Sequence, residues 1–185
     1  MRPVNSLLAH LTESQQWRPE PIATEALVHL LGRPEARVAL AGWADAFVPG
    51  LGAAELEYTG QAVNLVATGR PDVVGSAGTD VRVVIEAKFV AQLTPAQSGG
   101  AYLGHLGNTG PGLLVYLVPE DRVATMWSAA RKIHEPSHEP PDGPRRLHTP
   151  DGHVVTVLPW DYLLDLREKA PGDTTAAADV ASCEA

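Results

Sequence analysis

The chain has 185 residues, 44% of them hydrophobic, enough for one domain with its own core and too many for wholesale disorder. Its single cysteine, Cys183, excludes a disulfide framework and a cysteine metal site, and points to a reducing cytoplasm. The net charge of −8 excludes a strongly basic nucleic-acid binder, so any nucleic-acid affinity is intrinsically weak or supplied by a partner.

At the N-terminus, Leu7-Leu8-Ala9 is too short an apolar run for a signal peptide, and no stretch approaches the ~20 apolar residues of a membrane span. Asn5 to Thr12 reads as a short helix burying Leu7, Leu8 and Leu11. Pro19-Glu20-Pro21 opens a longer one, because proline suits the first helical turn. There Ile22, Ala23, Ala26, Leu27, Leu30 and Leu31 form an apolar stripe at helical spacing. Gly32 and Pro34 end it and begin another, with Leu40, Trp43 and Phe47 inward and Pro49-Gly50 as its stop.

Strand-like runs follow. Glu55–Thr59 and Ala62–Thr68 flank Gly60-Gln61 as a hairpin. The Asp72-Val73-Val74 run and the run from Val81 to Phe89 are joined by a turn-rich connector, Gly75 to Asp80. Thr94-Pro95 caps a helix holding Gln97, Tyr102, Leu103 and Leu106. Leu113 to Val118 is uniformly apolar, as in a strand buried on both faces, and a helical crossover makes it parallel to the preceding strand. Glu120–Ile133 reads as a helix with Val123, Trp127 and Ala130 inward. His134 and His138 have the i, i+4 spacing of a zinc pair, but Pro136, Pro140 and Pro141 make that segment a loop. A hairpin around Thr149-Pro150-Asp151-Gly152 and a helix from Trp160 to Lys169 complete the domain, residues 1–170. Residues 171–185 read as a disordered, acidic tail.

The chemistry sits between Asp72 and Lys88. Alternation along a strand puts Val81, Val83, Ile85, Ala87 and Phe89 on one face, and Arg82, Val84, Glu86 and Lys88 on the other. Glu86 and Lys88 are then neighbours, with Asp72 in reach on the adjoining strand. Charges inside an apolar strand require a partner or a function. The plain structural alternative is an ion pair at a sheet edge.

Pro71-Asp72, a hairpin, then Glu86-Ala87-Lys88 within a hydrophobic strand resembles the PD-(D/E)xK nuclease superfamily. The order α-β-β-β-α-β between about Pro21 and Val118 resembles its restriction-endonuclease-like core. The resemblance implies a three-layer α/β fold with a mixed sheet flanked by helices, to which a C-terminal helix, hairpin and helix are appended. It further implies a nuclease dependent on Mg2+ or Mn2+ that hydrolyses phosphodiester bonds of nucleic acid, with DNA favoured, in defence, repair or mobile-element biology. By resemblance, Asp72, Glu86 and the Ala87 carbonyl are metal ligands and Lys88 orients or activates the attacking water.

Two supporting residues carry over in the same way. Glu25 matches a glutamate on the helix before the meander, although helical spacing sets it opposite the apolar stripe, so that it reaches the site only by a helix edge. Gln97 matches a glutamine on the helix after the lysine strand; the tyrosine that accompanies it in exonuclease-like members corresponds to Tyr102, one residue later than usual. The scarcity of basic residues implies a homodimer or a partner subunit to complete the substrate groove. The alternative is a catalytically inactive nuclease fold used for binding or assembly, which the negative charge favours, or an unrelated α/β protein whose acids are structural.

Overall fold

Two N-terminal helices, α1 (Pro19–Leu31) and α2 (Pro34–Phe47), follow one another, and Pro34 opens the second, where a missing N–H costs no hydrogen bond. The structure is a computed structural model describing residues 19–60, 70–90, 100–134 and 145–163. The Asn5–Thr12 helix, the Ala62–Thr68 run, Gln97 and the C-terminal tail lie outside the described residues. From α1, Leu27, Leu30 and Leu31 enter the core together with Thr24, whereas Ile22, Ala23 and Ala26 remain half-exposed. From α2, Trp43 and Phe47 meet edge to face with centroids 5.4 Å apart.

The strands are β1 (Glu57–Gly60), β2 (Val73–Ala77), β3 (Asp80–Ala87), β4 (Leu113–Val118), β5 (Arg146–His148) and β6 (Val154–Pro159). They form one mixed sheet in the order β1-β2-β3-β4-β6-β5. The first three make an antiparallel meander; β3, β4 and β6 run parallel, and β5 returns antiparallel on β6. Helices α1 and α2 cover one face, packing on Val73, Val83, Ile85, Val115 and Leu117. The other face, with Val84, Leu114 and Tyr116, is covered by α3 (Gly100–Leu103) and α4 (Val123–Ile133) through Tyr102, Leu106, Met126 and Trp127. Every residue of β4 is therefore fully buried, as its uniformly apolar sequence anticipates. The protein is a three-layer α/β domain. The C-terminal hairpin is no appendage, because β6 pairs with β4 along six residues and continues the sheet.

Two local expectations are corrected. The connector between β2 and β3 is only Gly78-Thr79, since Gly75-Ser76-Ala77 belong to β2 and Gly78 adopts φ +62°. The alternation along β3 is also broken. Gly75 pairs with Val83 and Ser76 with Val81, leaving Arg82 as a bulged residue. One extra residue reverses the faces before it, so Val81 packs with Val84 rather than with Val83 and Ile85.

Gly75 lies under the ring of Tyr58. A Cβ there would stand 2.7 Å from Tyr58 Cε1, and the Tyr58 hydroxyl is tied to the Ala53 carbonyl at 2.8 Å. The ring cannot swing aside without breaking that bond. Gly75→Ala is expected to destabilise the protein by about 1–3 kcal/mol through overpacking. A urea unfolding midpoint equal to that of the unchanged protein would refute this account of the strand glycine.

Candidate functional site

The parallel strands β3, β4 and β6 end at one edge of the sheet, where open α/β sheets commonly carry their ligands. Asp72 immediately precedes β2, which is antiparallel to β3, so it reaches the same edge. Continuing the Val73–Ile85 register sets Asp72 opposite Glu86. The fit is locked by Asp72 Oδ2, which accepts the Ala87 N–H at 2.8 Å.

Glu86 and Lys88 stand together as strand geometry requires, with Lys88 Nζ 2.5 Å from Glu86 Oε1. They are only 2% and 6% exposed, so the pair is desolvated rather than a solvated surface bridge. The Lys88 backbone continues the ladder by donating its N–H to the Leu117 carbonyl at 2.8 Å. Glu86 Oε2 is buried without a hydrogen-bond partner. Burial pushes the Glu86 carboxyl up to about 7; Asp72 adds to the rise, while Lys88 and the nearby Tyr102 hydroxyl oppose it. Asp72 is also raised by burial, against the pull of the Ala87 N–H and of Lys88. Burial thus favours the neutral form of both carboxyls, and Lys88 opposes it in each.

Of the other expected residues, Glu25 is exposed on α1, with Oε1 3.7 Å from where a Gly60 Cβ would stand. The α1 carboxylate whose charge acts on Asp72 is instead Glu20, which accepts the Phe89 N–H at 2.8 Å. Glu20, Thr24, Leu27 and Leu31 follow i, i+4, i+7, i+11 spacing, and all but Glu20 are buried. That spacing was available in the sequence as a sign that Glu20 heads the core-facing stripe. Gln97 lies outside the described residues, but Tyr102 on α3 is buried close enough to Glu86 for each to shift the other's ionisation.

Tyr116 was hidden by the uniform hydrophobicity of β4. It pairs with Glu86 across the β3–β4 ladder, and burial together with the Glu86 charge raises its phenol. Its hydroxyl lies 3.1 Å from His134 Nε2. Burial pulls His134 down to about 4, so its imidazole is neutral near pH 7. His138, its suggested zinc partner, lies outside the described residues.

The donor set suits a hard divalent cation better than zinc. It offers oxygen ligands, one of them the unpartnered Oε2 of Glu86, and no thiolate. Among the described residues no group of three or more His, Cys, Asp or Glu side chains is arranged to hold a metal. Asp72 and Glu86 would therefore need the Ala87 carbonyl, water or a substrate phosphate to complete the coordination, which is how magnesium commonly binds. Among the same residues no helix is long and apolar enough to cross a membrane. In comparisons with protein-family models, curated proteins and solved structures, the chain matches none.

Proposed function

We propose that the protein is a metal-dependent phosphodiesterase of PD-(D/E)xK type, acting on nucleic acid with DNA as the favoured substrate. The observation that carries the reading is the convergence of Asp72, Glu86 and Lys88 at one sheet edge, with a buried carboxylate oxygen left unpartnered. Asp72, Glu86 and the Ala87 carbonyl would hold Mg2+ or Mn2+. When bound, the cation supplies charge neutralisation on the phosphodiester and acidifies a water molecule. The protein's own part is positional and electrostatic. The Ala87 N–H fixes Asp72, and Lys88 lies beside the carboxylates, where its ammonium orients the attacking water and offsets negative charge developing on the phosphoryl oxygens. Hydrolysis joins the water oxygen to phosphorus and breaks the bond to one ester oxygen; the water loses a proton and the departing alkoxide gains one. Tyr102 from α3 favours the ionised form of Glu86, whereas the charge of Glu20 from α1 opposes that of Asp72.

The test is a manganese-dependent cleavage assay on circular and linear DNA, with Glu86→Ala as the control. Cleavage lost in the control supports the reading, and attack on linear DNA alone would assign exonuclease action. Binding of DNA without turnover in either metal would transfer the fold to a binding or assembly role, the reading favoured by the net charge of −8. A homodimer or partner subunit is the proposed source of additional basic surface.

A further inference from the structure

We infer that the stacked pair Phe89 and Trp160 is a nucleobase platform, which makes the substrate of this site an unpaired strand of nucleic acid. The inference rests on the phosphodiesterase reading and deepens it from nucleic acid in general to a single strand. Because β3, β4 and β6 run parallel, with Ala87 paired to Leu117 and Val118 to Pro159, the residues that follow β3 and β6 leave the sheet at one edge. Phe89 comes directly after Lys88 and Trp160 directly after β6, and their rings stack with centroids 5.4 Å and planes 30° apart. Two contacts fix the pair: the Phe89 N–H donates to Glu20 Oε1 at 2.8 Å, and Trp160 packs against the core beneath α1 and α2. Glu20 is also the carboxylate whose charge acts on Asp72, so one side chain ties the platform to the site. Neither ring is buried, and Val90, next in the chain, is 82% exposed, so the pair lies at the surface.

The charge of the protein calls for such a contact. Nucleic-acid affinity ordinarily comes from Lys and Arg that neutralise phosphates. Here 22 acidic residues outnumber 14 basic ones, and the Lys88 ammonium is engaged by Glu86 at 2.5 Å. Stacking avoids that shortfall, because every base offers a π-face whatever its sequence and the contact needs no net positive charge. In a duplex the base faces are covered by their neighbours, whereas an unpaired base can leave its stack and lie on protein rings. The indole N–H of Trp160 is buried without an acceptor, so what this residue offers a ligand is ring surface rather than a hydrogen bond. A base seated on the pair brings the phosphate of its own strand to Lys88, one residue from Phe89, where Asp72 and Glu86 converge.

The test measures fluorescence anisotropy over a salt series with three labelled probes of equal length, using calcium to hold turnover back. The probes are oligothymidylate, an abasic strand with the same phosphates, and a fully paired DNA duplex. The unchanged protein is expected to bind oligothymidylate ~5- to 150-fold more tightly than the abasic strand, the range for one base–aromatic stack. Phe89→Leu and Trp160→Leu should each lose a similar factor on oligothymidylate and nothing on the abasic strand. Trp160→Phe keeps an aromatic face and should retain most of the affinity. The slope of log affinity against log salt should stay the same in all three variants, because no phosphate contact is removed. Urea midpoints near that of the unchanged protein exclude a folding defect; should a variant unfold, the two single strands compared on the unchanged protein decide the matter. Equal affinity for those two strands, tighter binding of the duplex, or oligothymidylate affinity unaltered in both folded leucine variants would overturn the platform. If the unchanged protein binds neither Mn2+ nor any of the probes, the phosphodiesterase reading fails, and this inference with it. If it cleaves DNA yet binds the two single strands alike, only the inference fails.

Discussion

Lys88→Ala is expected to lower metal-dependent DNA cleavage by about 10²- to 10⁴-fold, the usual scale for losing a group that positions a proton or stabilises developing charge. The effect on folding should be smaller than the burial of the pair suggests. Removing one member of a buried ion pair commonly costs about 3–5 kcal/mol, because the other is left charged and unpaired. Glu86 has a cheaper response. Its carboxyl already titrates at about 7, and without the ammonium its proton affinity rises further, so it becomes neutral instead of remaining an isolated anion. Single-turnover cleavage and urea unfolding, both with Lys88→Met as a variant that retains the apolar stem, separate the two effects. Cleavage by Lys88→Ala at the rate of the unchanged protein would remove Lys88 from the mechanism.

The second large effect is a hidden dependence of stability on pH. An unfolded glutamate releases its proton near 4.5, whereas the folded Glu86 releases it near 7. Between these values the folded state holds the extra proton, so Glu86 makes stability fall as pH rises, by up to about 3 kcal/mol. Asp72, raised in the same direction, adds to this slope. His134 acts oppositely. Its folded form takes a proton only near 4 and its unfolded form near 6.5, so stability falls as pH drops through that window, again by up to about 3 kcal/mol. His153, also held down by burial, adds to the imidazole side.

The opposed slopes largely cancel in the metal-free protein. Glu86→Gln should expose the imidazole slope and lose stability on acidification from pH 6.5 towards 4. His134→Gln should expose the carboxyl slope and gain stability on acidification from pH 7 towards 4.5. Urea unfolding across this range checks both signs, and two variants with the same slope would contradict the assignment of the groups. Metal binding should follow the carboxyl alone. Since a proton must leave Glu86 for a cation to bind, Mn2+ affinity should rise with pH by up to about tenfold per unit below pH 7.

The sequence carried the centre of the site because that centre is local. Alternation along one strand places Glu86 beside Lys88 whatever surrounds them, and the apolar neighbours signal that the pair is buried. The buried character of β4, the helix of α4 and the C-terminal hairpin were legible for the same reason, since each depends on a period of a few residues. The Arg82 bulge was not legible. It follows from how β2 registers against β3 under the Tyr58 ring, and single-strand periodicity contains no information about a partner's register.

The supporting residues divide along that line. Helical spacing assigned Glu25 to the far side of α1 and also contained the stripe headed by Glu20. Nothing local showed that this stripe ends against Phe89, 69 residues along the chain. Tyr116 read as one more apolar position in β4, and its place opposite Glu86 and beside His134 is set by the parallel ladder and by α4. The contact of Arg122 with the Lys88 carbonyl likewise follows from the shared direction of β3 and β4, which no local period contains.

Residue order alone therefore determined which side chains stand shoulder to shoulder on β3 and that burial makes their charges consequential. Tertiary structure decided which distant groups face them: Asp72 by strand register, Glu20 by the docking of α1, and Tyr102 by α3. The physical reason is that a strand's period is a property of its own backbone, whereas the electrostatic surroundings of a buried carboxylate are summed over every element packed around it.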